Sequence, residues 1–161
     1  PSGGIVSEEF DRVEALQTSP LFASSGSPRA KLLPMEIQYL ADLAVRRDLK
    51  SGDVLFSQGD PGDAMFVVVE GELEVIVSDG GRERSLARLG APQFLGEMTL
   101  IDKQPRSATV RACTDSVLLA LSYDNIYSFA RAHRMGFTCL VINIAKTVST
   151  RLREMNVAAL D

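Results

Sequence analysis

The sequence predicts an α+β fold in which a β region of sandwich or jelly-roll type lies between helices. Three observations carry this. Apolar residues recur at helical spacing as far as residue 44. Between residues 54 and 121 they fall into short runs parted by Gly, Pro and Asp, and after Ser122 the helical spacing returns. Helices, then many short strands, then helices make a layout with the β part central.

Over residues 7–16, Phe10, Val13 and Leu16 stand three apart, and Ser7 is placed to cap a helix ahead of Glu8 and Glu9. Ser24, Ser25, Gly26, Ser27 and Pro28 break that pattern. Pro34 suits a first helical turn, where its missing N–H would have no partner anyway. Ile37, Leu40, Ala41 and Ala44 share one face of the helix it opens. Helices are therefore expected through residues 7–50. Residues 1–6, which include Pro1-Ser2-Gly3-Gly4, are expected to be a flexible end.

The β region is placed at residues 51–122, with runs at 54–56, 65–69, 73–77, 85–89, 108–112 and 117–121. Between them stand Gly59-Asp60-Pro61-Gly62-Asp63, Glu70-Gly71, Asp79-Gly80-Gly81 and Gly90-Ala91-Pro92. Asp79-Gly80-Gly81 is the best hairpin signal, because tight hairpin turns need positive φ. Residues 123–161 are read as C-terminal helices: a short one at 124–131 and a long one near 136–157. The long one carries a stripe of Phe137, Leu140, Val141, Ile144, Val148, Leu152 and Met155. That stripe suits packing on the β region or, alternatively, a dimer seam. With no repeat and no low-complexity linker, residues 7–161 read as a single domain.

The 161 residues carry 17 basic and 21 acidic side chains, net -4, which argues against coating nucleic acid through bulk charge. Cys113 and Cys139 lie far apart in apolar surroundings and read as reduced core residues of a reducing compartment. With His133 the sole histidine, no metal site is proposed. The longest apolar stretch, residues 135–144, falls short of the roughly 18–20 residues that span a bilayer, and no signal peptide is evident. A cytoplasmic location is the expectation.

The chemistry concentrates in residues 94–110, Phe94-Leu95-Gly96-Glu97-Met98-Thr99-Leu100-Ile101-Asp102-Lys103-Gln104-Pro105-Arg106-Ser107-Ala108-Thr109-Val110. Gly96 allows close approach of a phosphate to the backbone, which a Cβ would hinder. Glu97 begins a short helical pattern; beside a phosphate it must face a donor, and a ribose 2′-hydroxyl is the natural partner. Pro105 turns the chain out of the helix toward Arg106. Arg106 offers a planar fork to a charged phosphate, and Ser107 can add a hydroxyl or N–H. One charge-assisted hydrogen bond contributes about 1.5–3 kcal/mol. Micromolar binding needs about 8 kcal/mol, so several groups must share it.

This run resembles the phosphate-binding cassette of cyclic-nucleotide-binding domains, the family of the bacterial catabolite activator, the kinase regulatory subunits and the cyclic-nucleotide-gated channels. Ser51-Gly52-Asp53-Val54-Leu55-Phe56-Ser57-Gln58-Gly59-Asp60-Pro61-Gly62-Asp63 is similar to the family's opening strand and glycine-aspartate loop. Residues 66–75 are similar to its central strand pair. The resemblance covers roughly residues 21–156. It implies a central antiparallel β-roll of two sheets, flanked by N-terminal helices and a long C-terminal helix that closes over the base.

It further implies a regulatory sensor, not an enzyme, that binds cyclic AMP or cyclic GMP and needs no metal or other cofactor. Gly96 would donate its N–H, Glu97 would accept from the ribose, Arg106 would pair with the cyclic phosphate and Ser107 would support it. Met98 and Ala108 belong to the same cassette. Met155 and Asn156 match positions that touch the purine in bacterial regulators, with Arg151 one turn before. Two residues depart from the pattern: Thr99 stands where alanine or glycine is usual, and Ser107 leaves adenine versus guanine open. Arg131, Arg134, Lys146, Arg151 and Arg153 read otherwise as a solvated helix face. The chain ends a few residues past the long helix with no second recognition helix, so direct DNA binding is not expected. The chain is then either a self-contained binding protein or a sensory domain of a channel, transporter or regulator, and the alternative function is a degenerate member serving as an interaction or dimerisation module.

Overall fold

The structure, a computed structural model, describes residues 10–22 and 31–159. Ser7, the 24–28 breaker and the expected flexible end at 1–6 lie outside the described residues. The first helix begins later than its apolar spacing suggests. Asp11 caps α1 (Arg12–Gln17) by accepting from the Glu14 N–H at 3.2 Å, so Phe10 precedes the helix. Pro34 opens α2 (Pro34–Leu43), and the Glu36 carboxylate turns back to accept the Leu33 N–H at 2.8 Å.

The expectation of helices as far as residue 50 is corrected at β1 (Val45–Leu49), an edge strand. Its Arg46, Arg47 and Asp48 hide the strand signal, since charged side chains are what an exposed sheet edge tolerates. It pairs antiparallel with β8 (Ser116–Ser122). The other strands are β2 (Val54–Phe56), β3 (Ala64–Glu70), β4 (Glu72–Asp79), β5 (Arg82–Gly90), β6 (Phe94–Leu95) and β7 (Thr109–Ala112). The two-residue β6 is too short to show a period.

Two four-stranded antiparallel sheets result, in the orders β1-β8-β3-β6 and β2-β7-β4-β5. The chain changes sheet at Gly71, where φ is +96° and a Cβ would stand 2.2 Å from Ser116 Oγ and 2.7 Å from backbone. Asp79 pairs with Arg82 around a two-residue Gly80-Gly81 turn with both φ positive, the hairpin expected there.

β3 is buried on both faces and reads as one apolar run. Met65 and Val67 join Leu16, Phe22, Leu40, Phe94, Phe129 and Leu140 in a core between the first sheet and the helices. Phe66 and Val68 point the other way, with Leu73, Leu95, Val110 and Leu118 inside the roll. Each such side chain contributes about 1.5–3 kcal/mol on burial.

The cassette helix is α3 (Glu97–Asp102). After β8, Ser122 caps α4 (Tyr123–Ala132), and α5 (Arg134–Ala158) follows. The apolar stripe of α5 divides. Leu140 and Ile144 are buried and Asn143 Nδ2 donates to Leu21 O at 2.9 Å, whereas Leu152, Met155 and Val157 are exposed. Among the described residues no helix is long and apolar enough to cross a membrane.

Candidate functional site

Arg106 is the centre of the site, and the backbone delivers it there. The Arg106 N–H donates to Asp60 O and the Gly59 N–H donates to Arg106 O, both at 2.8 Å. The glycine-aspartate loop thus grips the arginine from both sides, and the side chain is buried, only 5% exposed. Its Nη1 donates to Gly96 O at 3.1 Å and to Tyr123 Oη at 3.0 Å; Nη2 donates to Ala64 O at 2.6 Å. The guanidinium lies over the Phe56 ring, 4.1 Å from its centroid.

Every hydrogen-bond acceptor of this cation is neutral. Among the described residues no carboxylate pairs with it, and its Nε has no partner. A guanidinium has five N–H donors, and three bonds use three of them. A buried cation with donors to spare is costly unless an anion completes it.

The glycines beside it are needed for space. Gly96, the N-cap of α3, has φ +84°, and a Cβ there would stand 3.0 Å from Arg106 Nη1 and 3.1 Å from Ala64 O. A Cβ on Gly62 would stand 2.8 Å from Thr99 Cγ2 and 2.9 Å from both Cζ and Nε of Arg106. Thr99 therefore packs its methyl against the loop glycine, on the side of Arg106 that Gly62 covers.

Glu97, at the start of α3, is 6% exposed. Its Oε1 accepts from Arg151 Nη1 of α5 at 3.3 Å. Arg151 also donates to Gln93 Oε1 at 3.4 Å and to Phe94 O, and lies over the Phe94 ring at 5.1 Å. Arg151 is thus bound to the cassette, not part of a solvated face. Burial holds its guanidinium below the usual arginine range while the Glu97 charge works in the opposite direction.

The remaining expected residues differ in exposure. Ala108 is buried; Ser107 is exposed and its Oγ donates to Met98 Sδ at 3.7 Å, with Met98 half exposed. Met155 and Asn156 are exposed on α5, one turn beyond Arg151. The structure therefore brings Gly96, Glu97, Arg106 and Arg151 together and leaves Met155 and Asn156 facing solvent.

Sequence reasoning missed Tyr123, Phe56, Gln93 and Ala64, which touch the two arginines. Their side chains and carbonyls carry no motif, and only the fold brings them close. Tyr123 Oη accepts from Arg106 and donates to Gly96 O. Burial pushes its phenol above the usual range, and the Arg106 charge opposes that shift. The phenol is protonated at neutral pH, as that donation requires.

Residues 46–133 match the family model described as the cyclic nucleotide-binding domain. The chain is 34% identical over 140 residues to the cyclic AMP receptor protein of Thermus thermophilus, an alignment covering 86% of this chain and 60% of that protein. It is 45% identical over 75 residues to a cyclic nucleotide-gated potassium channel of Rhizobium etli, covering 47% of this chain and 20% of the channel. Among solved structures, a cyclic nucleotide-binding domain from Methylobacillus flagellatus superposes with a TM-score of 0.82 at 24% identity, over 92% of this chain and 82% of that one. The chain thus spans less than two thirds of the length of the receptor and of the channel. It belongs to the cyclic nucleotide-binding domain family.

Proposed function

We propose that the chain is a regulatory sensor that binds cyclic AMP or cyclic GMP and transmits occupancy through α5. One observation carries the reading: Arg106 is a buried cation with neutral acceptors and an unpartnered Nε. A cyclic phosphate supplies the missing anion, and an arginine fork meets its two oxygens with charge-assisted bonds. The ribose 2′-hydroxyl donates to Glu97, with Gly96, Met98, Ser107 and Ala108 completing the cassette around it. Arg151 supports Glu97, and movement of α5 brings Met155 and Asn156 toward the base. A nucleotide shifts α5 only by its differential affinity for the two positions of that helix, and Arg151–Glu97 is the contact through which the difference arises.

The role is binding, not catalysis, and the reading puts the chain in the cytoplasm. The named relatives, a cyclic AMP receptor and a gated potassium channel, support an attached or partnered output domain. Thermal unfolding tests the reading: the midpoint should rise with millimolar cyclic AMP or cyclic GMP. An unmoved midpoint with both would count against it.

A second reading has its own observation. Leu152, Met155 and Val157 leave the end of α5 apolar and exposed, as a dimer seam requires. In that case the chain is an interaction module that binds no nucleotide, and dimers should form with or without ligand in sedimentation.

A further inference from the structure

Tyr123 and Tyr127 stand one turn apart on α4 and reach the two ends of α3. Tyr123 Oη donates to Gly96 O at the N-cap, and Tyr127 Oη donates to Leu100 O at 3.1 Å. Lys103, the C-cap of α3 in a left-handed conformation at φ 60°, donates its Nζ to Tyr127 Oη and lies 4.4 Å from that ring's centroid. Both phenols therefore act as donor and acceptor at once, each tying a cation and a cassette carbonyl to α4. A cavity of about 440 Å³, walled by Thr99, Lys103, Tyr123 and Tyr127 among others, lies against the same two rings. Beside that cavity the two hydroxyls link α4 to α3.

The two tyrosines differ in one respect. Tyr123 touches Arg106 directly; the hydrogen bonds of Tyr127 go to Lys103 and Leu100. Nη1 of Arg106 is held by Gly96 O and Tyr123 Oη, which fixes the guanidinium plane while Nε keeps no hydrogen-bond partner. We infer that Tyr123 is a positioning residue that orients Arg106. The binding arm of this inference rests on the cyclic-nucleotide reading; the orientation of Arg106 does not.

The test uses the whole chain with Tyr123→Phe and Tyr127→Phe. In ¹H–¹⁵N spectra of the ligand-free protein, the Arg106 Nε–H signal, assigned by its loss in Arg106→Lys, should shift or broaden in Tyr123→Phe and stay in place in Tyr127→Phe. Cyclic AMP affinity should fall about tenfold in Tyr123→Phe, the scale of one charge-assisted hydrogen bond, and change less than about twofold in Tyr127→Phe.

An unmoved Arg106 signal with unchanged affinity in Tyr123→Phe overturns the positioning role. Should Tyr123→Phe fail to fold, 3-fluorotyrosine labelling of the unsubstituted chain serves instead. The Tyr123 fluorine signal should move on adding cyclic AMP, and a fixed signal at saturation contradicts the inference. If the parent chain binds neither cyclic AMP nor cyclic GMP, the nucleotide reading fails while the ligand-free spectra still decide the role of Tyr123.

Discussion

Arg106 has surrendered its water for three neutral acceptors and an aromatic face, an arrangement that leaves a buried positive charge without an anion. Spacing in the sequence singled out Arg106, Gly96 and Glu97, because a glycine, a carboxylate and an arginine in that order are a chemical signature. The same spacing could not reveal that Tyr123 and Ala64 share the guanidinium, since a carbonyl or a phenol joins through the fold. Nor could it show why Gly62 is glycine. Gly62→Ala would press a methyl to within 2.9 Å of Arg106 and 2.8 Å of Thr99. We expect it to lower stability by about 1–3 kcal/mol in urea titration and to weaken nucleotide binding, and Thr99→Ala in the same chain to recover part of the stability.

Tyr123 adds a pH dependence. Its pKa is raised in the folded chain, so its contribution to stability is fully present below the unfolded phenol value of 10.0 and is lost as pH rises through the folded value. Melting curves should therefore fall more steeply above that pH in the parent than in Tyr123→Phe. Parallel curves would show that Tyr123 is not the group responsible.

At the scale of elements, α5 does two different things along its length. Its first half is core, through Leu140 and Ile144; beyond that, Arg151 bonds to Glu97, Gln93 and Phe94, and the last turns expose Leu152, Met155 and Val157. The 3.6-residue period named the whole stripe but did not tell which part finds a partner, because the period reports a face and not its neighbour. Arg151, expected at the ligand site or else on a solvated face, lies against Glu97 and Phe94. Arg151→Ala removes the ion pair and leaves the Glu97 carboxylate buried alone. Amides of α5 beyond residue 145 should then exchange faster, with the Leu140 region unchanged; equal protection throughout would deny Arg151 its docking role. If the exposed end is a dimer seam, Leu152→Asp should convert dimers to monomers in sedimentation while the monomer keeps its circular-dichroism spectrum. The β1 edge strand escaped for a different reason: its charged residues suit solvent, and a half-exposed edge has no apolar alternation to read.

Over the whole molecule, the order of elements was readable because each class has its own period and because glycines mark the turns. Gly71 at the sheet corner and Gly80-Gly81 at the hairpin are backbone requirements written directly into the sequence. What could not be read is which surfaces meet: the two sheets enclose one core, the helices cover another, and the cassette lies where β3, α4 and α5 converge. That convergence joins Arg106 to α4 through Tyr123, and Glu97 to α5 through Arg151. The proposed function depends on an anion binding at Arg106. Calorimetric titration of the chain and of Arg106→Ala with cyclic AMP and cyclic GMP tests that most directly. The account predicts saturable binding of at least one nucleotide to the parent chain and at least about tenfold weaker binding to Arg106→Ala. No heat with either nucleotide at millimolar concentration, or equal affinity in Arg106→Ala, would contradict it.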